Sequence, residues 1–187
     1  MSGTCKEAYF ASKALSEARF HCVEADPDKA ARLQELTNRW KNESENIFEI
    51  VEQAASDKEE ELTFYPDELS LEWSLFPIPG ATSEWSELKV QATTRDQIFK
   101  GIEVDFLKLD VEGADYRALL GGKRVLKRCD LRILLEIAPW GDKKENHRPS
   151  AMITRSSRTT ISLKRRDQQL GGGVNLRSSA LFLIARI

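Results

Sequence analysis

The stretch VDFLKLDVEGADYRALLGG, residues 104–122, changes from a strand pattern to a helix pattern within a few residues. An apolar run ending at Leu109 is typical of a buried strand, and apolar residues at helical spacing begin at Ala114. Asp110 and Glu112 lie between the two. Carboxylates beside a buried strand cost free energy unless a ligand or a hydrogen-bond donor uses them. The turn is therefore a candidate site at the carboxyl end of a strand.

Strand and helix patterns alternate along the rest of the chain, which favours an α/β fold with a mostly parallel sheet. Short apolar runs predict the strands, and apolar residues at i, i+3 and i+4 predict the helices. The predicted helices cover residues 6–17, 26–40 and 94–101, and a further helix begins at Ala114. The predicted strands cover 19–25, 46–56, 87–93, 104–110, 131–140 and 180–187, with a turn and a strand over 56–65; residues 66–87 are predicted to form a loop.

Acidic residues end three of the predicted strands, namely Glu24, Asp110 and Glu136. Ligands of parallel α/β sheets bind at the carboxyl ends of the strands, so we expect these side chains to share one edge. An acid such as Glu24 can bind a ribose diol or cap the following helix, and its position alone leaves both open. Asp26 and Pro27 are the predicted N-cap and first residue of that helix.

Length and charge limit the classes of protein to consider. A chain of 187 residues fits a single domain with its own core, and a formal net charge of −2 gives no general reason to expect a nucleic-acid partner. The charge is uneven, because residues 148–187 hold eight basic residues and one acid. Residues 146–179 form an atypical basic segment, which we expect to be rich in solvated loops, with a possible edge strand in TTISLKR.

Cysteine and apolar patterns indicate a reducing compartment. Cys5, Cys22 and Cys129 include no C-x-x-C pair, and the two histidines have no spacing typical of a metal site. The sequence has neither the apolar core of a signal peptide nor a run of about 18 apolar residues. We therefore expect a cytoplasmic protein without a membrane partner.

Several motifs occur in an order that resembles one family. They are HCVEADPDKAARLQE, VEQAASDKEEELTFY, DFLKLDVEGADYRALLGG and ILLEIAPW, which together span about residues 20–140. In this order they resemble the FkbM-type methyltransferases, which are S-adenosylmethionine-dependent enzymes. The second motif is similar to a family segment AxSDKxGxLxFY, with Glu60 at the glycine. The resemblance implies a three-layer Rossmann-like sandwich and O-methylation of a small molecule or a sugar hydroxyl.

The resemblance also implies roles for particular residues. Glu24 would bind the ribose hydroxyls of S-adenosylmethionine, and Ala55 and Ser56 would lie against the adenine. Asp110 and Glu112 would face the methyl group and the acceptor, where a carboxylate could take the proton of the acceptor hydroxyl. In the alternative interpretation, Asp110 caps the next helix and Glu112 is a solvated acid of its first turn.

The amino-terminal part departs from the family pattern. The family begins with a strand and a DxGANxG loop, whereas here only Gly3 matches a loop glycine and Glu7 stands at the second one. The missing strand would lie between the strands ending at Glu24 and Asp110, so unpaired strand edges and self-association are expected. The rival hypothesis is a non-catalytic remnant or scaffold that keeps the fold without binding the cofactor.

Overall fold

The computed structural model describes residues 6–67, 72–74, 87–111, 114–128, 131–137, 160–165 and 181–186. The helices are α1 (Lys6–Ala14), α2 (Pro27–Trp40), α3 (Arg95–Ile98), α4 (Asp115–Leu120) and α5 (Lys123–Arg128). The strands are β1 (Arg19–Glu24), β2 (Ile47–Glu52), β3 (Ala54–Ser56), β4 (Glu60–Asp67), β5 (Glu72–Ser74), β6 (Leu88–Thr94), β7 (Phe106–Asp110), β8 (Arg132–Ile137), β9 (Thr160–Arg165) and β10 (Leu181–Arg186).

A six-stranded sheet with the order β2-β1-β10-β7-β8-β9 forms the centre of the fold. Each of its strand pairs is parallel, which confirms the predicted parallel sheet. Five consecutive residues of β1 are buried, as expected for a parallel strand covered on both faces. The mixed α/β architecture and this sheet are consistent with a Rossmann-like fold.

The position between β1 and β7 is filled by β10, the strand nearest the carboxyl end of the chain. Phe182 pairs with Phe20 on one side and with Phe106 on the other, and the pairing with both neighbours continues to Arg186. The expectation of unpaired edges at this place is therefore wrong, because another segment of the same chain supplies the backbone hydrogen bonds.

The edge strand expected within the basic segment is confirmed. TTISLKR contains β9, which pairs with β8 from Arg132↔Thr160 to Ile137↔Arg165 at the edge of the six-stranded sheet. Together, β9 and β10 place two pieces of the basic carboxyl-terminal region in the sheet.

A second sheet has the order β3-β6-β4-β5 and contains both parallel and antiparallel pairs. The single strand predicted over residues 46–56 is wrong, because the backbone turns at Gln53, whose N–H donates to Val51 O. The segment is thereby divided between the two sheets. The loop predicted over residues 66–87 is also wrong in part, since β5 pairs with the end of β4 through backbone groups that need no apolar pattern.

The start of α2 agrees with the sequence. The side chain of Asp26 accepts hydrogen bonds from the N–H groups of Asp28 and Lys29, and Pro27 opens the helix. Both features satisfy or avoid backbone donors that a helix start leaves unpaired. Leu33 and Trp40 are among the side chains that this helix buries.

Candidate functional site

Glu24 is the last residue of β1, and its side chain is fully buried. Its Oε1 accepts a hydrogen bond of 3.1 Å from the backbone N–H of Asp26. Because Asp26 is the N-cap of α2, the interpretation of Glu24 as the cap of that helix is wrong. The carboxylate of Glu24 instead lies buried at the point where the chain leaves the sheet.

Asp110 is the last residue of β7 and is also buried. Its Oδ2 accepts a hydrogen bond of 2.9 Å from Nζ of Lys108. The next helix, α4, has Ala114 at its N-cap and no side-chain cap, so the interpretation of Asp110 as a helix cap is wrong as well. Glu112, the second acid of this predicted pair, lies outside the described residues.

Lys108 connects Asp110 to helix α1. Its Nζ lies 3.4 Å from Oε1 of Glu7, which is in the first turn of α1. Glu7 therefore belongs to a helix that approaches the carboxyl edge of β7, while Gly3, the predicted loop glycine, lies outside the described residues. One buried ammonium is shared by two carboxylates from different elements.

The register places the two predicted acids in one row across the sheet. Arg186 of β10 pairs with Glu24 of β1 on one side and with Asp110 of β7 on the other. Because β10 lies between them, the backbones of β1 and β7 are about 10 Å apart. Leu135 pairs with Leu109, so Glu136 also lies at this edge. The sheet thus brings together the acids that the sequence assigned to strand ends.

Ala55 and Ser56 belong to β3 of the second sheet, and both are buried. Ala55 packs in the same apolar cluster as Val23 and Ala25, which flank Glu24. The hydroxyl of Ser56 is within 3.1 Å of Asp57 Oδ1 and is therefore used inside the protein. The structure places these two residues beside β1, with little exposed surface of their own.

Gly121 allows the turn between α4 and α5 to pack closely on β3. A Cβ at Gly121 would overlap the carbonyl oxygen of Ser56. In the same region Arg117 of α4 donates to Glu60 at 2.7 Å and to Asp57 at 3.3 Å. Close backbone packing and this ion cluster fix α4 against the end of β3.

Arg95, the first residue of α3, is a buried cation that the sequence did not single out. Among the residues that the structure describes, none accepts a hydrogen bond from its Nε, Nη1 or Nη2. Burial lowers the pKa of Arg95 to about 9, and the negative charge of Asp96 opposes this only in part. A Cβ at Gly122 would lie 2.6 Å from Nη2, so the guanidinium lies directly against this glycine.

The comparison with protein families decides the relationship of the chain. The model of the methyltransferase FkbM domain matches residues 3–158. The chain belongs to the FkbM methyltransferase family. Neither the curated proteins nor the solved structures give a significant match. Glu24 and Asp110 lie within the region matched by the FkbM domain, whereas β9 and β10 lie beyond it.

Three charged residues described above, Lys108, Glu7 and Arg95, were not predicted as site residues. Lys108 could have been noticed as a lysine inside an otherwise apolar strand, and Glu7 was noted only as a departure from the family loop. Arg95 gives no sequence signal, because one arginine at a helix start is ordinary on a surface. None of the helices in the described part of the chain is long and apolar enough to cross a membrane.

Proposed function

We propose that this FkbM domain transfers a methyl group from S-adenosylmethionine to an oxygen atom of a small molecule or a sugar. Membership of the methyltransferase family is the observation that carries the proposal. The position of Glu24 and Asp110 at the carboxyl ends of β1 and β7 supports it, because ligands of parallel sheets bind at this edge.

The residues present fit such a cofactor in charge and chemistry. A buried carboxylate at the end of β1 is an acceptor for ribose hydroxyls, and the acid at the end of β7 is complementary to a cationic sulfonium. In this proposal Glu24 holds the ribose, while Ala55 and Ser56 form the floor beside the adenine. The proposal includes a three-layer sandwich of the class I methyltransferase type, in which these residues would line one cofactor site.

The chemistry asks mainly for alignment. S-adenosylmethionine, when bound, supplies an activated methyl group, and the acceptor oxygen must approach in line with the bond that breaks. Asp110, held by Lys108, provides a fixed negative charge at the strand end. Glu112 is proposed to complete this edge and to take the proton of an acceptor hydroxyl.

Replacing Glu24 with glutamine is expected to weaken the binding of S-adenosylhomocysteine. The substitution keeps the shape of the side chain but removes the charge that strengthens its hydrogen bonds to ribose, a loss of about 1–3 kcal/mol. Isothermal titration calorimetry measures the change, and thermal unfolding of the variant confirms that it is folded.

Glu52→Gln is the matched control for this experiment. Glu52 ends the neighbouring strand β2 and pairs in register with Glu24, but it is exposed. Its substitution should leave the affinity within about twofold of the wild type. Equal effects of the two substitutions would argue against a ribose contact by Glu24. A wild-type chain that binds no cofactor at millimolar concentration would favour the non-catalytic scaffold instead.

A further inference from the structure

We infer that Lys108 is a positioning residue, which fixes the carboxylate of Asp110 at the carboxyl end of β7 and links it to helix α1 through Glu7. This inference rests on the proposed function and gives a role to a residue outside the predicted site. Lys108 lies within a strand that has a parallel neighbour on each side, and its side chain is only 3% exposed. Burying an ammonium is costly, and its carboxylate partners offset this cost.

The geometry shows how Lys108 would act on Asp110. The two residues are two positions apart in β7, so their side chains leave the same face of the strand. Nζ of Lys108 lies 2.9 Å from Oδ2 of Asp110, and the side chain of Asp110 is only 10% exposed. A short contact within a buried strand restricts the rotation of the carboxylate. The contact leaves Oδ1 as the oxygen that Lys108 does not hold.

Glu7 extends the same arrangement to α1. Its Oε1 lies 3.4 Å from Nζ of Lys108, and about half of its side chain is exposed. Helix α1, which carries Glu7, is thereby attached to the strand that carries Asp110. The three groups together carry two negative charges and one positive charge, an excess that suits a cationic ligand.

This arrangement favours an electrostatic role for Asp110 over transfer of the acceptor proton. The ammonium of Lys108 lies in direct contact with this carboxylate and occupies one of its oxygens. A carboxylate held in this way is a fixed charge that can attract a sulfonium. It discriminates between S-adenosylmethionine, which is cationic at sulfur, and S-adenosylhomocysteine, which is neutral there.

A double-mutant cycle with Asp110→Asn and Lys108→Met tests the inference. Calorimetry of the four proteins gives the affinity for S-adenosylmethionine relative to that for S-adenosylhomocysteine. Asp110→Asn should lower this ratio about tenfold in the wild type, and by less than about twofold in the Lys108→Met background, where Asp110 is no longer held. Lys108→Arg, which keeps a cation, should restore most of the effect of Asp110→Asn.

Lys13→Met is the control. Lys13 lies in the last turn of α1, the helix that carries Glu7, and forms an exposed ion pair with Glu43. The substitution should leave both affinities unchanged. An equal effect of Asp110→Asn in both backgrounds would overturn the inference and leave the proposed function intact. A wild-type chain that binds neither ligand would overturn the proposed function, and the positioning role with it.

Discussion

Replacing Ile184 with proline is expected to abolish the cooperative folding of the chain. Ile184 lies in the middle of β10 and pairs with Cys22 on one side and Lys108 on the other. Proline removes a backbone donor and does not fit a strand that has neighbours on both sides. Each buried backbone group that proline leaves unpaired costs about 1–3 kcal/mol, and together these losses take a large part of the ~5–15 kcal/mol that stabilises an ordinary domain. Thermal unfolding followed by circular dichroism measures the change.

Ile184→Val is the matched control, since valine keeps the backbone N–H and the β-branched shape. Its loss should stay within about 1.5 kcal/mol. A chain shortened to end at Ala180 should aggregate, because β1 and β7 would then expose unpaired edges, and light scattering detects the larger particles. A proline variant that unfolds like the wild type, together with a monomeric shortened chain, would show that residues 181–186 are not the central strand.

Replacing Arg95 with methionine is expected to stabilise the chain by about 1–4 kcal/mol, which is the usual gain when a poorly compensated buried charge gives way to an apolar side chain. Methionine is unbranched and fills the space of the arginine stem. The reason for the gain is that burial lowers the pKa of Arg95 to about 9, which means that the folded state disfavours the cation. Chemical denaturation at pH 7 measures the difference in the free energy of unfolding.

The pH dependence gives an independent check on Arg95. The folded-state pKa is about 9, well below the ordinary value of arginine in an unfolded chain. Between these values the unfolded chain binds more protons at this residue, so the stability contributed by Arg95 rises with pH. The advantage of Arg95→Met should therefore be full below pH 9 and should shrink at pH 10.5.

Arg117→Met serves as the comparison for Arg95→Met. Arg117 has two carboxylate partners, so its loss should lower the stability slightly or leave it unchanged. If Arg95→Met instead destabilises the chain by several kcal/mol, the guanidinium has acceptors outside the described residues, and the interpretation of a poorly compensated charge is wrong.

Much of the candidate site follows from local patterns. The role of Asp26 as the N-cap of α2 could be predicted because its side chain bonds only to backbone N–H groups two and three residues further along the chain. Glu24 and Asp110 could be placed at the ends of strands because each follows a short apolar run, and such runs predict strands. Ser56 was expected only from the resemblance to the FkbM motif, and its close contact with Gly121 was not predicted.

The sequence by itself thus determined the family, the parallel strands and the acids at their ends, because these depend on short-range periodicity and on motifs of contiguous residues. Only the tertiary structure decided that β10 fills the centre of the sheet, since strand pairing joins residues more than 150 positions apart, such as Phe20 and Phe182. It also decided that Lys108 joins Glu7 to Asp110, because the contact between a helix and a strand depends on how they pack. Long-range pairing leaves no period in the sequence, and a buried ion pair leaves no motif.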